Sequence, residues 1–267
     1  MSLSSVSLTA LFALLPSVSA HGANFWFSFG DSYTQTDFNA TGPLPSVANP
    51  IGNPPFPGGT ATPGPNWVGY VTETYNQSLL FTYNYAFSGA TIDANLVLPF
   101  SPIVQTLTDQ VNTFLATVSN KPATTPWTSK NALFSIWIGI NDIDLTFQNG
   151  QDHSAFTDTL LNAYFALVNK LVDVGARNFL FVNVPPTDRS PKTIALGASA
   201  QTLNKDFVDT YNAKLAAKVN AFRLSKNGVK TFMWDSHQQF TTILNHPTVF
   251  GFQDATSIGS TPNFFWG

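Results

Sequence analysis

Apolar residues along this chain follow two patterns that alternate. Dense short runs, from Asn24 to Phe29, Leu80 to Tyr85, Leu133 to Ile138, Asn178 to Val184 and Val229 to Trp234, are apolar at most positions. Strands read this way when flanking helices bury both faces of a parallel sheet. Between the later runs the period lengthens. Phe156, Leu160, Tyr164, Leu167, Leu171 and Val174 recur at helical spacing and stop at Gly175, a residue suited to the turn just past a helix. Leu203, Phe207, Tyr211, Leu215, Val219 and Phe222 repeat that spacing before Asn227-Gly228. Strand and helix in alternation imply right-handed crossovers and predict an α/β fold, a three-layer α/β/α sandwich with a central parallel sheet of about five strands. In such sheets ligands bind beyond the carboxyl ends of the strands, so the residues after each run matter most for function.

Two stretches stand outside this alternation. Gly42 to Pro65 is rich in Pro and Gly and has no apolar period; it reads as a long surface loop of the kind that shapes a binding mouth. Leu8 to Leu15 is an apolar run broken by Pro16 and followed by Val18-Ser19-Ala20. It is too short to span a bilayer and reads as a secretory signal occupying residues 1–20, which predicts an extracellular protein with one domain over residues 21–267. Asn39-Ala40-Thr41 and Asn76-Gln77-Ser78 are glycosylation acceptor sequences, with Asn39 and Asn76 as the acceptors. No other apolar stretch is long enough for a membrane span, and a monomer with no membrane contact after cleavage is expected.

Composition narrows the function classes. Lys and Arg number 12 against 15 Asp and Glu, and charged residues make up only 10% of the chain. The scattered cations supply no basic stripe for phosphate neutralisation, so nucleic-acid binding is set aside. With 43% hydrophobic residues and 24 Phe the chain can bury a large core. It has no Cys, which excludes disulfides, thiolate-bound zinc and a thiol nucleophile.

Three strand ends carry candidate chemistry. After the first comes Gly30-Asp31-Ser32-Tyr33, a hydroxyl just past a glycine in a tight turn, ahead of a helix whose free N–H groups would face an anion forming on Ser32. Taken alone, this is an ordinary helix cap. After the second comes Phe87-Ser88-Gly89-Ala90, where Gly89 is either a turn residue or an unobstructed amide; after the third, Gly139-Ile140-Asn141-Asp142 offers the side-chain amide of Asn141, or simply a turn. In order and at strand ends, the three blocks resemble those of the GDSL/SGNH hydrolases, with Tyr33 where the family name has Leu. The stretches Phe181 to Pro186 and Asn245 to Phe252 are similar to the branch containing the secreted carbohydrate esterases of family 16.

That resemblance implies a serine esterase with Ser32 as nucleophile and an acyl-enzyme intermediate. The oxyanion would be held by the N–H of Ser32, the N–H of Gly89 and the side-chain amide of Asn141, with no metal and no organic cofactor. The family's last block, Asp-x-x-His, follows an aromatic stretch like Phe264-Phe265-Trp266 and precedes a terminal helix, but no such block stands before Gly267. Four His remain. His246 lacks a carboxylate three positions earlier, His237 follows Asp235 at the wrong spacing and reads as opening a helix, His153 reads as a solvated or capping residue, and His21 lies at the new terminus. None matches the general base that a neutral Ser requires. A truncated copy is therefore expected, with turnover impaired by orders of magnitude and an apolar sheet face uncovered.

By the resemblance the substrate is a small ester or an acetylated carbohydrate. Trp26, Trp67 and Trp127 are candidates for stacking on sugar rings, while Trp137 and Trp234 lie in runs that read as core. A non-catalytic secreted protein that binds carbohydrate or ester on the same fold stays open, as does a flavodoxin-like protein whose Gly30 turn sits beside a phosphate.

Overall fold

The computed structural model describes residues 22–266, so the expected signal segment at residues 1–20 and His21 lie outside the described residues. All five expected strands form: β1 (Asn24–Gly30), β2 (Leu80–Asn84), β3 (Ala132–Trp137), β4 (Asn178–Val182) and β5 (Lys230–Trp234). They pair in the order β2-β1-β3-β4-β5, every pair parallel. The helices are α1 (Trp67–Gly69), α2 (Leu107–Thr117), α3 (Ile140–Thr146), α4 (His153–Asp173), α5 (Pro191–Ala195), α6 (Ala198–Ser225) and α7 (Ser236–Asn245). Residues 42–65 form the expected irregular loop.

Alternation along the strands divides the sheet into two unlike faces. Phe25, Phe27, Phe29, Phe134, Ile136, Phe179 and Phe181 share one face, buried under α2, α4 and α6. Phe114 of α2 meets Phe27 and Phe29 edge-on, and Phe222 of α6 meets Phe179 and Phe181 likewise. This aromatic packing is where most of the apolar area is buried, at roughly 25 cal/mol per Å².

The opposite face is thinner. Trp67 of α1 packs edge-on against Trp26 and Trp137, and Phe240 of α7 reaches Trp137 and Tyr33. Two buried polar groups on this face are paired, Trp26 Nε1 donating to Ser135 Oγ at 2.7 Å and Ser135 meeting Ser28 at 2.9 Å, whereas the buried Trp137 Nε1 has no partner.

One expectation fails at the sheet edge. β5 is not buried on both faces: Phe232, Met233 and Trp234 are 56, 38 and 40% exposed. Only β4 pairs with it, but the other edge strand, β2, is mostly buried, so the openness of β5 reflects little cover on its faces among the described residues.

Candidate functional site

β1 lies between β2 and β3, with Ser28 opposite Asn84 and Gly30 opposite Trp137. The three candidate loops therefore leave adjacent strands at one edge of the sheet. Past β1 the chain makes a single turn, Thr34 N and Gln35 N both donating to Asp31 O at 3.0 Å, in place of the helix expected after Ser32. The Pro- and Gly-rich segment that follows has no apolar face with which to extend one. Ser32 is half-buried on this turn.

Side chains that the sequence reading missed fix the turn from below. Buried Gln110 of α2 accepts from Gly30 N at 2.9 Å and donates to Gly30 O at 2.8 Å. Asn84, at the end of β2, donates to Thr34 O at 2.6 Å and Thr36 Oγ1 at 2.9 Å. A glutamine at a core-facing position of an amphipathic helix was the one available signal for the first of these.

The second and third loops are tied to the first and to each other. Phe87 N donates to Gly30 O at 3.1 Å, and Ser88 N donates to the Gln35 side chain. Gly89 has φ +78°, and a Cβ there would stand 2.1 Å from the Phe100 ring, so only glycine keeps this backbone. Gly139, with φ +114°, opens α3, and a Cβ on it would meet the Tyr211 ring and hydroxyl at 2.6 Å. The close turn puts Asn141 in the first turn of α3, from where its Nδ2 donates to Ala90 O at 2.9 Å. Ser32 and Gly89 thus sit on loops and Asn141 on the first turn of α3, the three segments joined by hydrogen bonds. Among the described residues, neither Ser32 N–H nor Gly89 N–H donates to a protein acceptor, and the Asn141 amide has a second hydrogen to give. Unspent donors at one sheet edge suit a developing oxyanion.

Two carboxyls lie beneath these donors. Asp31 and Asp142 are both fully buried. Asp31 takes the Tyr33 N–H at 3.1 Å on one oxygen and has no partner on the other, while Asp142 takes the Ile92 N–H on both oxygens at 3.1 and 3.3 Å. Burial pushes Asp31 up to about 7, with a smaller upward push from the charge of Asp142. Burial likewise raises Asp142 to about 7, partly offset by the Ile92 N–H. Their neighbours in sequence, Ser32 and Asn141, drew the attention; that the acids turn inward was not legible.

The imidazoles are engaged elsewhere. His153 is not solvated and is not the cap of α4, which is Asp152; it stacks on Phe207, its Nδ1 lies 3.1 Å from Asp206 and its Nε2 lies 3.2 Å from Phe147 O. His237 is in the first turn of α7 as expected, its Nε2 3.9 Å from Asp209, and His246 is exposed at the end of that helix. Among the described residues, no imidazole is hydrogen-bonded to Ser32, and no three His, Asp or Glu side chains converge as a metal site.

The tryptophan assignments need correction. Trp26 and Trp127 are 1% and 0% exposed, held as core by aromatic packing, so neither presents a ring to a sugar. Trp67 is partly buried against Trp26 and Trp137. Trp234, expected in the core, is 40% exposed. Trp266, read from sequence only as part of an aromatic stretch, lines a cavity together with Tyr33. Asn39 and Asn76 are both exposed; the Asn39 side-chain Oδ1 accepts from Thr41 Oγ1 at 2.8 Å, and Asn76 Nδ2 donates to Thr72 O at 2.6 Å.

Comparison with known proteins bears on the whole region. A family model described as GDSL-like lipase/acylhydrolase matches residues 27–261, spanning all three loops. An acetylesterase from Thermothelomyces thermophilus is 39% identical over 238 residues, which is 88% of this chain and 78% of that protein. An acetylesterase from Hypocrea jecorina is 28% identical over 60% of this chain and 47% of its own length. Among solved structures, an acetylxylan esterase from Geobacillus stearothermophilus aligns at 15% identity with a TM-score of 0.47, covering 84% of this chain and 80% of that one.

Proposed function

The chain belongs to the GDSL-like lipase/acylhydrolase family and is a carboxylic ester hydrolase, and on that premise we propose that it removes acetyl groups from esters carried by carbohydrates, using Ser32 as nucleophile. Ser32 Oγ attacks the acyl carbon, the carbonyl oxygen gains negative charge, and the alcohol leaves an acyl-enzyme that water then cleaves. The Ser32 and Gly89 N–H groups and the Asn141 side-chain amide receive the charge. Such donors are worth about 3 to 4 kcal/mol each when removed singly. The observation that carries this reading is the 2.9 Å bond from Asn141 Nδ2 to Ala90 O, which fixes the third loop's amide beside the second loop's free N–H. The 39% identity to an acetylesterase supports the choice of acyl group. Export through a signal at residues 1–20, with glycans on Asn39 and Asn76, completes the proposal.

A Ser hydroxyl needs a base, and among the described residues no imidazole is hydrogen-bonded to Ser32: His153 is held by Asp206 and Phe147 O, while His237 and His246 sit at the two ends of α7. We accordingly propose that turnover is slow. The same observation favours a second reading, a secreted protein that binds acylated carbohydrate without hydrolysing it. A small chromogenic acetate ester together with the Ser32→Ala variant separates the two. Hydrolysis abolished by Ser32→Ala supports the enzyme; a folded wild-type chain with no turnover overturns it.

A further inference from the structure

Past Gly89 the chain enters a segment, residues 97–104, that is pinned at both ends and apolar at its tip. Val97 and Val104 are buried at its base. Val97 N donates to Asp93 O at 3.0 Å, Val97 O accepts from Thr91 Oγ1 at 2.9 Å, and Val104 N donates to Ser101 O at 3.2 Å. Pro99 and Pro102 restrict the backbone between these anchors. From this frame Leu98, Phe100 and Ile103 project into solvent, 78, 71 and 75% exposed. A single exposed apolar residue is ordinary. Three large ones close together on a backbone fixed at both ends form a patch of the kind that marks a contact surface. The patch adjoins the candidate site, because the Phe100 ring fills the space that a Cβ on Gly89 would occupy.

We propose that this lip docks the protein on a lipid surface, its three side chains entering the acyl layer and bringing the Gly89 loop to the interface. The proposal departs from the absence of membrane contact expected from the sequence. Among the described residues no helix is long and apolar enough to cross a membrane, so the docking is peripheral. The chemistry of the lip selects the partner. Leu98 and Ile103 are aliphatic and Phe100 carries no polar atom, so none of the three side chains can hydrogen-bond a sugar hydroxyl. A second copy of the chain would need to bury about 800 Å² on each partner, which a tip of three side chains does not supply. Charge narrows the lipid. No Lys or Arg precedes Lys121, and the charges nearest the lip along the chain are Asp93 and Asp109. Anionic headgroups are held by clustered Lys and Arg, so adsorption through this lip is apolar and suits a zwitterionic or uncharged surface. The docking stands apart from catalysis, since it needs the lip and not Ser32.

Flotation of the intact chain with phosphatidylcholine vesicles tests this, with circular dichroism showing that each variant is folded. The wild type is expected to float with the vesicles, its partitioning weakened about tenfold in Phe100→Ser and about 100-fold in Leu98→Ser/Ile103→Ser. Leu224→Ser, which removes a 70% exposed side chain from the last turn of α6, is expected to partition as the wild type does. Adding phosphatidylserine or raising the salt is expected to leave binding as it was. The double variant keeps the test sound if Phe100→Ser disturbs the Gly89 loop. Absence of flotation by the folded wild type, flotation indifferent to the double variant, or flotation that requires phosphatidylserine and is lost in salt overturns the proposal. So does a lip-dependent dimer, or lip-dependent retention on an acetylated polysaccharide film, without vesicle binding. Hydrolysis of a soluble acetate ester is read separately. Its failure alongside lip-dependent flotation sinks the esterase assignment and leaves the docking standing, whereas its success without flotation does the reverse.

Discussion

β1 and β5 are nearly interchangeable as sequences, Asn-Phe-Trp-Phe-Ser-Phe-Gly against Lys-Thr-Phe-Met-Trp, yet their environments are opposite. Every residue of β1 after Asn24 is buried, while four of the five in β5 are exposed by more than a third. Rank in the sheet is not the whole cause, since β2 is an edge strand too and is mostly buried; what β5 lacks among the described residues is cover on its faces. Function follows the same division. The turn after β1 is gripped by Gln110, Asn84 and the Phe87 N–H, so Ser32 is held by bonds from three elements. The end of β5 carries only Asp235, which caps α7 and accepts from Asn183 at 2.8 Å. A strand end becomes a rigid platform for chemistry when neighbours on both sides fix it, and aromatic content alone does not provide that.

Stability should separate the two strands most sharply. Phe27→Ala removes a fully buried ring and is expected to cost about 3 to 5 kcal/mol, whereas Phe232→Ala should cost less than about 1 kcal/mol, both read by urea denaturation. Comparable costs would mean that β5 is covered in solution. Activity is the next largest contrast. Ser32→Ala is expected to lower acetate-ester hydrolysis about 100-fold or more, while His237→Ala, just past β5, changes it less than about twofold.

The smallest contrast is in pH. Asp31 and Asp142 are raised to about 7 from an ordinary value near 4, so the native state holds protons that the unfolded chain releases between those values. Stability from these groups is complete below pH 4 and is lost as pH rises through 7. Melting should therefore come earlier at pH 8 than at pH 5, by on the order of 1 to 3 kcal/mol, and Asp31→Asn should flatten the dependence. A slope unchanged in Asp31→Asn would show that the acid beneath Ser32 ionises freely.

What was legible in the sequence is what depends on near neighbours. Strand runs and the two long helices came through because their periodicities are local, as did their stops at Gly175 and Gly228, which have φ of +107° and +74°. The loop positions of Ser32, Gly89 and Asn141 also followed from their places after strands. The rest depends on residues far apart in sequence. Gln110 bonds to Gly30; Trp266 and Tyr33 line one cavity; and the openness of β5 depends on what packs over its faces. Short helices such as α3 and α5 left too few turns for a period to be read.

Labelling with a serine-directed phosphonate, located and timed by mass spectrometry in the wild type and in Asn141→Ala, tests most directly whether three separate loops serve one reacting oxygen. The expected result is modification at Ser32, slowed about 100- to 1,000-fold in the variant because the phosphonyl oxygen loses a donor. Labelling at another residue, or at Ser32 with the same rate in both proteins, would contradict it.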